Sequence, residues 1–143
     1  EATQDAVRPI KMDSSWLMRC QKLLAKVQEM DASWDNIFKY PVNTDAVPDY
    51  LLAVPRPKCL SEVESDLSRK IHKTVEEFLK DLRLIFSNCV RYNQGRDQLI
   101  DEDCSLRIWA MGFLELIENT SWIKENRQLQ LLPEWKACMK VID

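Results

Sequence analysis

One polar side chain interrupts an apolar helical stripe at a position where it could bind a ligand. The apolar positions 82, 86 and 89 recur at helical spacing, and the next position of that stripe is Asn93. Each polar group of a buried asparagine that has no hydrogen-bond partner costs about 1–3 kcal/mol of stability. At a helix end, Asn93 could donate one N–H to a ligand carbonyl. Because Gln94 and Gly95 mark such an end, helix capping is the alternative role, and Tyr92 has the same two alternatives.

The other residue types that support catalysis do not occur in catalytic patterns. His72, the single histidine, stands beside Lys70 and Lys73 on a predicted solvent face, with no partner at nucleophile or ligand spacing. No glycine-rich phosphate loop or nucleophile–base pair is present. The cysteines are too scattered for a zinc cluster: Cys20, Cys59, Cys89, Cys104 and Cys138. The sequence therefore predicts no catalytic residue, no metal and no cofactor, and argues against an enzyme.

The odd number of scattered cysteines predicts reduced, mostly buried thiols in an intracellular protein. Cys89 falls within the apolar stripe and is expected to be inert core. Cys59 falls in a loop, where partial exposure would make it more reactive.

The charge balance constrains the partner. The net charge of −3 argues against direct nucleic-acid binding and is compatible with a basic peptide, although solubility alone would produce the same value. An acidic run, Asp101, Glu102 and Asp103, follows the Asn93 region. It could stabilise a helix N-terminus or attract a basic peptide toward the site.

The elements that must position Asn93 are predicted to be helices. The 143 residues contain only two glycines, which disfavours an all-β fold, and no apolar run is long enough to span a membrane. Helical periodicity begins near Asp13, Ser61, Thr74 and Ile100, with capping boxes at Ser61–Glu64 and Thr74–Glu77. A further helical tail follows residue 119. The prediction is one all-α domain.

Residues 31–60 differ from the rest of the chain. Four of the six prolines fall there and exclude a long helix. The same stretch is rich in aromatic and branched apolar residues, which disordered linkers lack. We therefore expect an ordered loop that forms one wall of a site.

Residues 86–93, with the sequence FSNCVRYN, resemble the end of a helix in the bromodomain family, where phenylalanine, Asn-Cys and Tyr-Asn occur at this spacing. Upstream, Pro41-Val42 and Pro48-Asp49-Tyr50 resemble the family's long loop, and positions 50–93 align without a gap. The resemblance covers about residues 13–118. It implies a left-handed four-helix bundle with a long ordered loop between the first two helices, here with an extra C-terminal helical tail.

The resemblance also implies a role for each matching position. Asn93 would donate a hydrogen bond to the acetyl oxygen of acetyl-lysine, and Tyr50 would reach that oxygen through an ordered water. Leu99 would be the gatekeeper at the pocket mouth. The remaining expected acetyl-lysine-binding residues form the apolar walls: Phe38, Val42, Tyr92, Val47 and Val54.

Two departures from the family pattern affect the expected ligand preference. The family's Trp-Pro-Phe triplet is replaced by Asn36-Ile37-Phe38, and Trp34 is the nearby tryptophan that could substitute. Pro-Met-Asp is replaced by Pro57-Lys58-Cys59, and the loop after Val42 is about two residues shorter.

The predicted function is a non-catalytic acetyl-lysine reader for histone tails or similar basic segments, in the nucleus. The alternative is a bromodomain-like scaffold with a degenerate pocket that binds other proteins. We expect residues 1–12 to be an extension, 13–118 the bundle and 119–143 a helical extension that could serve in docking. The chain is expected to act as a monomeric domain of a larger protein, without membrane contact.

Overall fold

Four long helices and three short helical segments are present in the computed structural model, which describes residues 8–42, 45, 49–93 and 106–130. The segments are α1 (Ser14–Ala32), α2 (Tyr50–Ala53), α3 (Leu60–Ser68), α4 (Val75–Asn93), α5 (Leu106–Glu118), α6 (Ser121–Lys124) and a 3₁₀ turn (Arg127–Leu129). Within these ranges the only strand-type pairing is an isolated bridge between Lys11 and Thr74. The prediction of an all-α fold is confirmed. No helix in the same ranges has the length and apolarity needed to cross a bilayer.

Helix α1 begins close to its predicted start. The Asp13 side chain accepts a hydrogen bond from the backbone N–H of Trp16 at 2.9 Å, which caps the helix. Its inward face carries apolar residues three and four positions apart, and these are buried: Cys20, Leu23, Leu24 and Val27. Burial raises the pKa of the Cys20 thiol to about 12, so this sulfur stays protonated and inert.

Helix α3 begins at Leu60, so the predicted capping box at Ser61–Glu64 is wrong. Glu62 instead accepts from the backbone N–H of Cys59 at 3.0 Å. The N–H groups of Leu60 and Ser61 donate to the carbonyls of Phe38 and Lys39 at 2.8 and 3.0 Å. Because the loop satisfies these first helical donors, a serine cap is not needed. Cys59 is buried, against the expectation of partial exposure.

The connection from α3 to α4 overturns the prediction for His72. Helix α3 ends at Ser68, and Lys70 adopts a left-handed backbone conformation with φ 61°. This turn leaves Ile71 exposed and buries His72, whose Nε2 lies 2.9 Å from a carboxylate oxygen of Asp81. The histidine therefore lies inside the protein with an acidic partner, not on a solvent face.

Helix α4 begins at the predicted capping box and runs through the centre of the bundle. The N–H of Glu77 donates to Thr74 Oγ1 at 3.1 Å, and the N–H of Thr74 donates to the Glu77 carboxylate at 3.3 Å. Both halves of the predicted box are present. The helix contacts each of the other long helices, so it determines where its last residue, Asn93, is placed.

Three phenylalanines from three segments form the centre of the core. Phe86 of α4 stacks on Phe113 of α5, with ring centroids 4.6 Å apart and an interplanar angle of 4°. Phe38, from the long loop, meets both rings edge-on at 5.0 and 5.2 Å. The loop is therefore attached to the bundle through an aromatic ring.

The segment after α5 packs back onto the bundle as far as it is described. Ile123 and Leu129 are fully buried. Arg83 of α4 donates to both carboxylate oxygens of Glu118, at 2.8 and 3.1 Å, and also to the Leu129 carbonyl. Residues 121–130 are thus tied to α4 through one guanidinium group.

Candidate functional site

A cavity of about 280 Å³ lies where the long loop, α2, the last turns of α4 and the start of α5 meet. Most of its wall is apolar or aromatic, with a single side-chain amide. The lining residues are Ile37, Phe38, Tyr40, Val42, Tyr50, Lys58, Ile85, Cys89, Tyr92, Asn93 and Leu106.

Asn93 supplies the amide of this wall. It is the last residue of α4 and only 8% exposed. Its Nδ2 donates to the backbone carbonyl of Cys89 at 2.9 Å and to the Cys89 sulfur at 3.4 Å. One N–H of the amide is therefore fixed by its own helix, which orients the side chain. A thiol sulfur is a weak acceptor, so a ligand carbonyl could take its place as the acceptor of the second N–H.

Two tyrosines add hydroxyl groups to the cavity wall. Their rings, Tyr50 and Tyr92, lie 4.9 Å apart, and the Tyr92 hydroxyl donates to Asp49 at 2.9 Å. Burial, with smaller contributions from Cys89 and Tyr92, raises the pKa of Tyr50 to about 12. The Tyr50 hydroxyl consequently keeps its proton at neutral pH and can donate a hydrogen bond within the cavity.

The loop wall is positioned by the buried carboxylate at the end of α1. Asp31 Oδ1 accepts from the backbone N–H of Phe38 at 3.0 Å. The Asp31 carbonyl also accepts from the N–H groups of Trp34 and Asn36, at 3.0 and 2.8 Å. These bonds hold a turn in which Asn36 has a positive φ of 57°. The turn directs Phe38 into the core and onto the cavity wall.

Replacing Asp31 by asparagine should remove a pH dependence of stability. Burial raises the pKa of the Asp31 carboxyl above 3.8, although bonds from Phe38 and Ile37 and the charge of Lys39 lower it. The folded state therefore binds this proton more tightly than the unfolded chain. The contribution of Asp31 to the free energy of unfolding is greatest at pH values below the pKa of this carboxyl in the unfolded chain. It falls as the pH rises through the pKa of the carboxyl in the folded state.

Urea unfolding of wild type and Asp31→Asn from acidic to neutral pH measures this effect. The variant's stability relative to wild type should increase with pH and then level off. Asp31→Ala, which also loses the bond to Phe38, should be less stable than Asp31→Asn throughout. A relative stability that decreases as pH rises would show that the pKa is lowered instead.

The structure brings five of the eight sequence-predicted site residues to one cavity: Phe38, Val42, Tyr50, Tyr92 and Asn93. Val54 does not line it and is a correction: it is fully buried just after α2, where its N–H donates to the Tyr50 carbonyl at 2.7 Å. This backbone hydrogen bond links Val54 to Tyr50 across α2. Val47 and Leu99 lie outside the described residues, as does the acidic run at 101–103.

Several wall residues were not predicted as part of the site. Leu106, the first residue of α5, lines the cavity although no sequence motif marks it. Cys89, expected as inert core, is buried but also lines the cavity, and its sulfur donates to the Leu106 carbonyl at 3.5 Å. Ile85 belongs to the same apolar face of α4 as the buried core residues of that helix. Only the packing of α5 against α4 distinguishes these positions from ordinary core.

One group in the described part of the chain has the residue types of metal ligands. Candidate ligand atoms of Asp66, His72 and Asp81 lie within 4.8 Å of one another. The Lys58 ammonium lies 3.9 Å from a carboxylate oxygen of each aspartate. Because a lysine already lies close to both carboxylates, we assign no metal to this group.

Comparison with known proteins identifies the family. The bromodomain family model matches residues 20–104, which is more than half of the chain. The chain therefore belongs to the bromodomain family.

Curated relatives contain similar segments within much longer proteins. The chain is 41% identical over 73 residues to the histone acetyltransferase GCN5 of Yarrowia lipolytica, covering 51% of this chain and 15% of that protein. It is 43% identical over 98 residues to the ATPase family AAA domain-containing protein 2 of Mus musculus, covering 64% and 9%. It is 35% identical over 122 residues to the E3 ubiquitin-protein ligase TRIM33 of Danio rerio, covering 81% and 10%. The chain thus spans a small part of each of these relatives.

A solved structure supports the fold. The second bromodomain of Candida albicans Bdf1, solved bound to an imidazopyridine, aligns with a TM-score of 0.61 at 22% identity. The alignment covers 75% of this chain and 97% of that one.

Proposed function

We propose that this domain binds acetylated lysine side chains in the cavity beside Asn93 and performs no chemistry on them. The observation that carries the proposal is the buried Asn93 amide, held by the Cys89 carbonyl on the wall of a mostly apolar cavity. The acetyl oxygen would accept its second N–H. Tyr50, which lines the same cavity, would donate to the same oxygen through a water molecule.

The walls account for discrimination between acetylated and free lysine. Acetylation converts a charged ammonium into a neutral amide, which can enter an apolar cavity. A free lysine would have to lose the hydration of a full charge, at a far greater cost. Phe38 and Val42, which line the cavity, would contact the acetyl methyl group. Leu99 as gatekeeper and Val47 as a loop contact remain part of the proposal.

The expected partner is a histone tail or another basic segment that carries acetyl-lysine, in the nucleus, with this domain inside a longer protein. The occurrence of similar segments in a protein named a histone acetyltransferase supports this setting. One cavity that buries one side chain should bind weakly, with a Kd on the order of tens to hundreds of micromolar. Linked domains would raise the apparent affinity.

The proposal is tested by NMR titration of the isotope-labelled domain with matched acetylated and unmodified histone-tail peptides. We expect shifts at Asn93, Tyr50, Val42 and Leu106 with the acetylated peptides only, saturating in the micromolar range. Shifts of similar size with unmodified peptides would contradict acetyl recognition. If no peptide causes shifts at the cavity, the alternative of a scaffold with a degenerate pocket is supported.

A further inference from the structure

An exposed tryptophan, Trp34, packs against the partly buried Trp109, and neither residue lines the cavity. Trp34, in the turn after α1, and Trp109, on α5, have ring centroids 4.5 Å apart and planes inclined by 32°. Trp34 remains 41% exposed. The stack covers part of the Trp34 indole and leaves the rest as a flat aromatic surface at the exterior of the protein.

Each tryptophan lies three positions along the chain from a residue of the cavity wall. Trp109 follows the wall residue Leu106 by three positions on α5, so the two side chains are neighbours on one helix face. Ile37, another wall residue, follows Trp34 by three positions in the turn fixed by Asp31. A peptide whose acetyl-lysine entered the cavity would place a neighbouring residue within reach of the indole.

The chemistry of the surface favours a cationic neighbour. The face of an indole ring attracts cations more strongly than that of the other aromatic side chains. In the described residues, cations already lie over Trp16 and Tyr40, through Arg19 and Lys39, whereas none lies over Trp34. The exposed carboxylate of Asp35 directly follows Trp34 and adds negative charge.

We infer that Trp34, supported by Trp109, is a specificity surface that favours peptides with an arginine or lysine cation close to the acetyl-lysine. The inference rests on the proposed function, because the acetyl-lysine must first fix the peptide at the cavity. The preferred partner is then an acetylated basic segment whose positive charge contacts the protein outside the cavity.

A peptide series with one acetyl-lysine and one arginine, moved through the flanking positions, tests the inference. Each arginine peptide is paired with a glutamine peptide of the same length. At one position we expect arginine to bind about two- to fivefold more tightly than glutamine and to shift the indole Nε1–H resonance of Trp34. In Trp34→Leu that ratio should fall to about one, with glutamine-peptide affinity retained.

Trp122→Leu is the matched control, because Trp122 belongs to the other tryptophan pair, packed edge-on against Trp16 at 5.7 Å. It should keep the arginine preference. A wild-type ratio near one at every position, or a ratio unchanged in Trp34→Leu, would overturn the inference. Both results leave the proposed function standing as long as binding still requires the acetyl group. If the wild-type domain showed no acetyl-dependent binding, the proposed function itself would be contradicted.

Discussion

Replacing Asn93 by alanine should weaken binding of acetylated peptides by about 5- to 150-fold while the domain stays folded. The variant removes the amide of the cavity wall, so a bound acetyl oxygen would lose its direct donor in an apolar environment. An unsatisfied buried polar group costs about 1–3 kcal/mol, and 1.4 kcal/mol corresponds to a tenfold change in Kd. Isothermal titration calorimetry with an acetylated peptide, together with thermal unfolding, measures both quantities.

Asn88→Ala is the matched control for this variant. Asn88 is a second buried asparagine of the same helix, and its Nδ2 donates to the Arg56 carbonyl at 2.8 Å, away from the cavity wall. Its loss should reduce stability by about 0.5–1.5 kcal/mol and change peptide affinity much less than Asn93→Ala does. Equal affinities of wild type and Asn93→Ala would show that the amide is not the acetyl donor.

Replacing Phe86 by alanine should destabilise the domain by about 3–5 kcal/mol, a large part of the stability of a domain this size. Phe86 is fully buried, stacks on Phe113 and meets Phe38 edge-on. Its truncation would leave a cavity between α4, α5 and the long loop. Urea unfolding monitored by tryptophan fluorescence measures the loss.

Phe86→Leu separates volume from aromatic packing. It restores most of the missing volume and should cost less than the alanine variant. Because Phe38 is both a partner of Phe86 and a wall residue, we also expect Phe86→Ala to broaden the NMR signals of Val42 and Tyr50. A destabilisation below about 1 kcal/mol would show that the phenylalanine cluster is not the centre of the core.

The helices could be predicted from sequence because local patterns determine them. The Thr74–Glu77 box and the spacing of apolar residues in α4 place that helix correctly. The predictions failed where a distant segment replaced a local interaction. The Phe38 and Lys39 carbonyls satisfy the first N–H groups of α3, so the helix begins before Ser61. The left-handed turn at Lys70 buries His72, which was predicted to face solvent, and periodicity alone does not show such a turn.

The candidate site was predictable to the extent that it is encoded along one helix and in the family motif. Asn93 interrupts an apolar stripe, and its neighbours match the bromodomain pattern, so the amide was found. Leu106 and Cys89 have no such local signal, because their place on the wall depends on how α5 packs against α4. Val54 is an apolar loop residue of the kind expected on the wall, but it is fully buried and does not line the cavity.

The guanidinium of Arg83 bears on how much of the chain forms one cooperative unit. The family match ends at residue 104, yet Arg83 binds groups at residues 118 and 129, and the buried side chains extend to Leu129. A fragment trimmed to the matched region would keep Arg83 in α4 and discard both of its acceptors. It would also lose Phe113 from the aromatic core. We therefore expect the smallest protease-resistant form of this domain to extend beyond residue 104 and to include at least the residues up to Leu129.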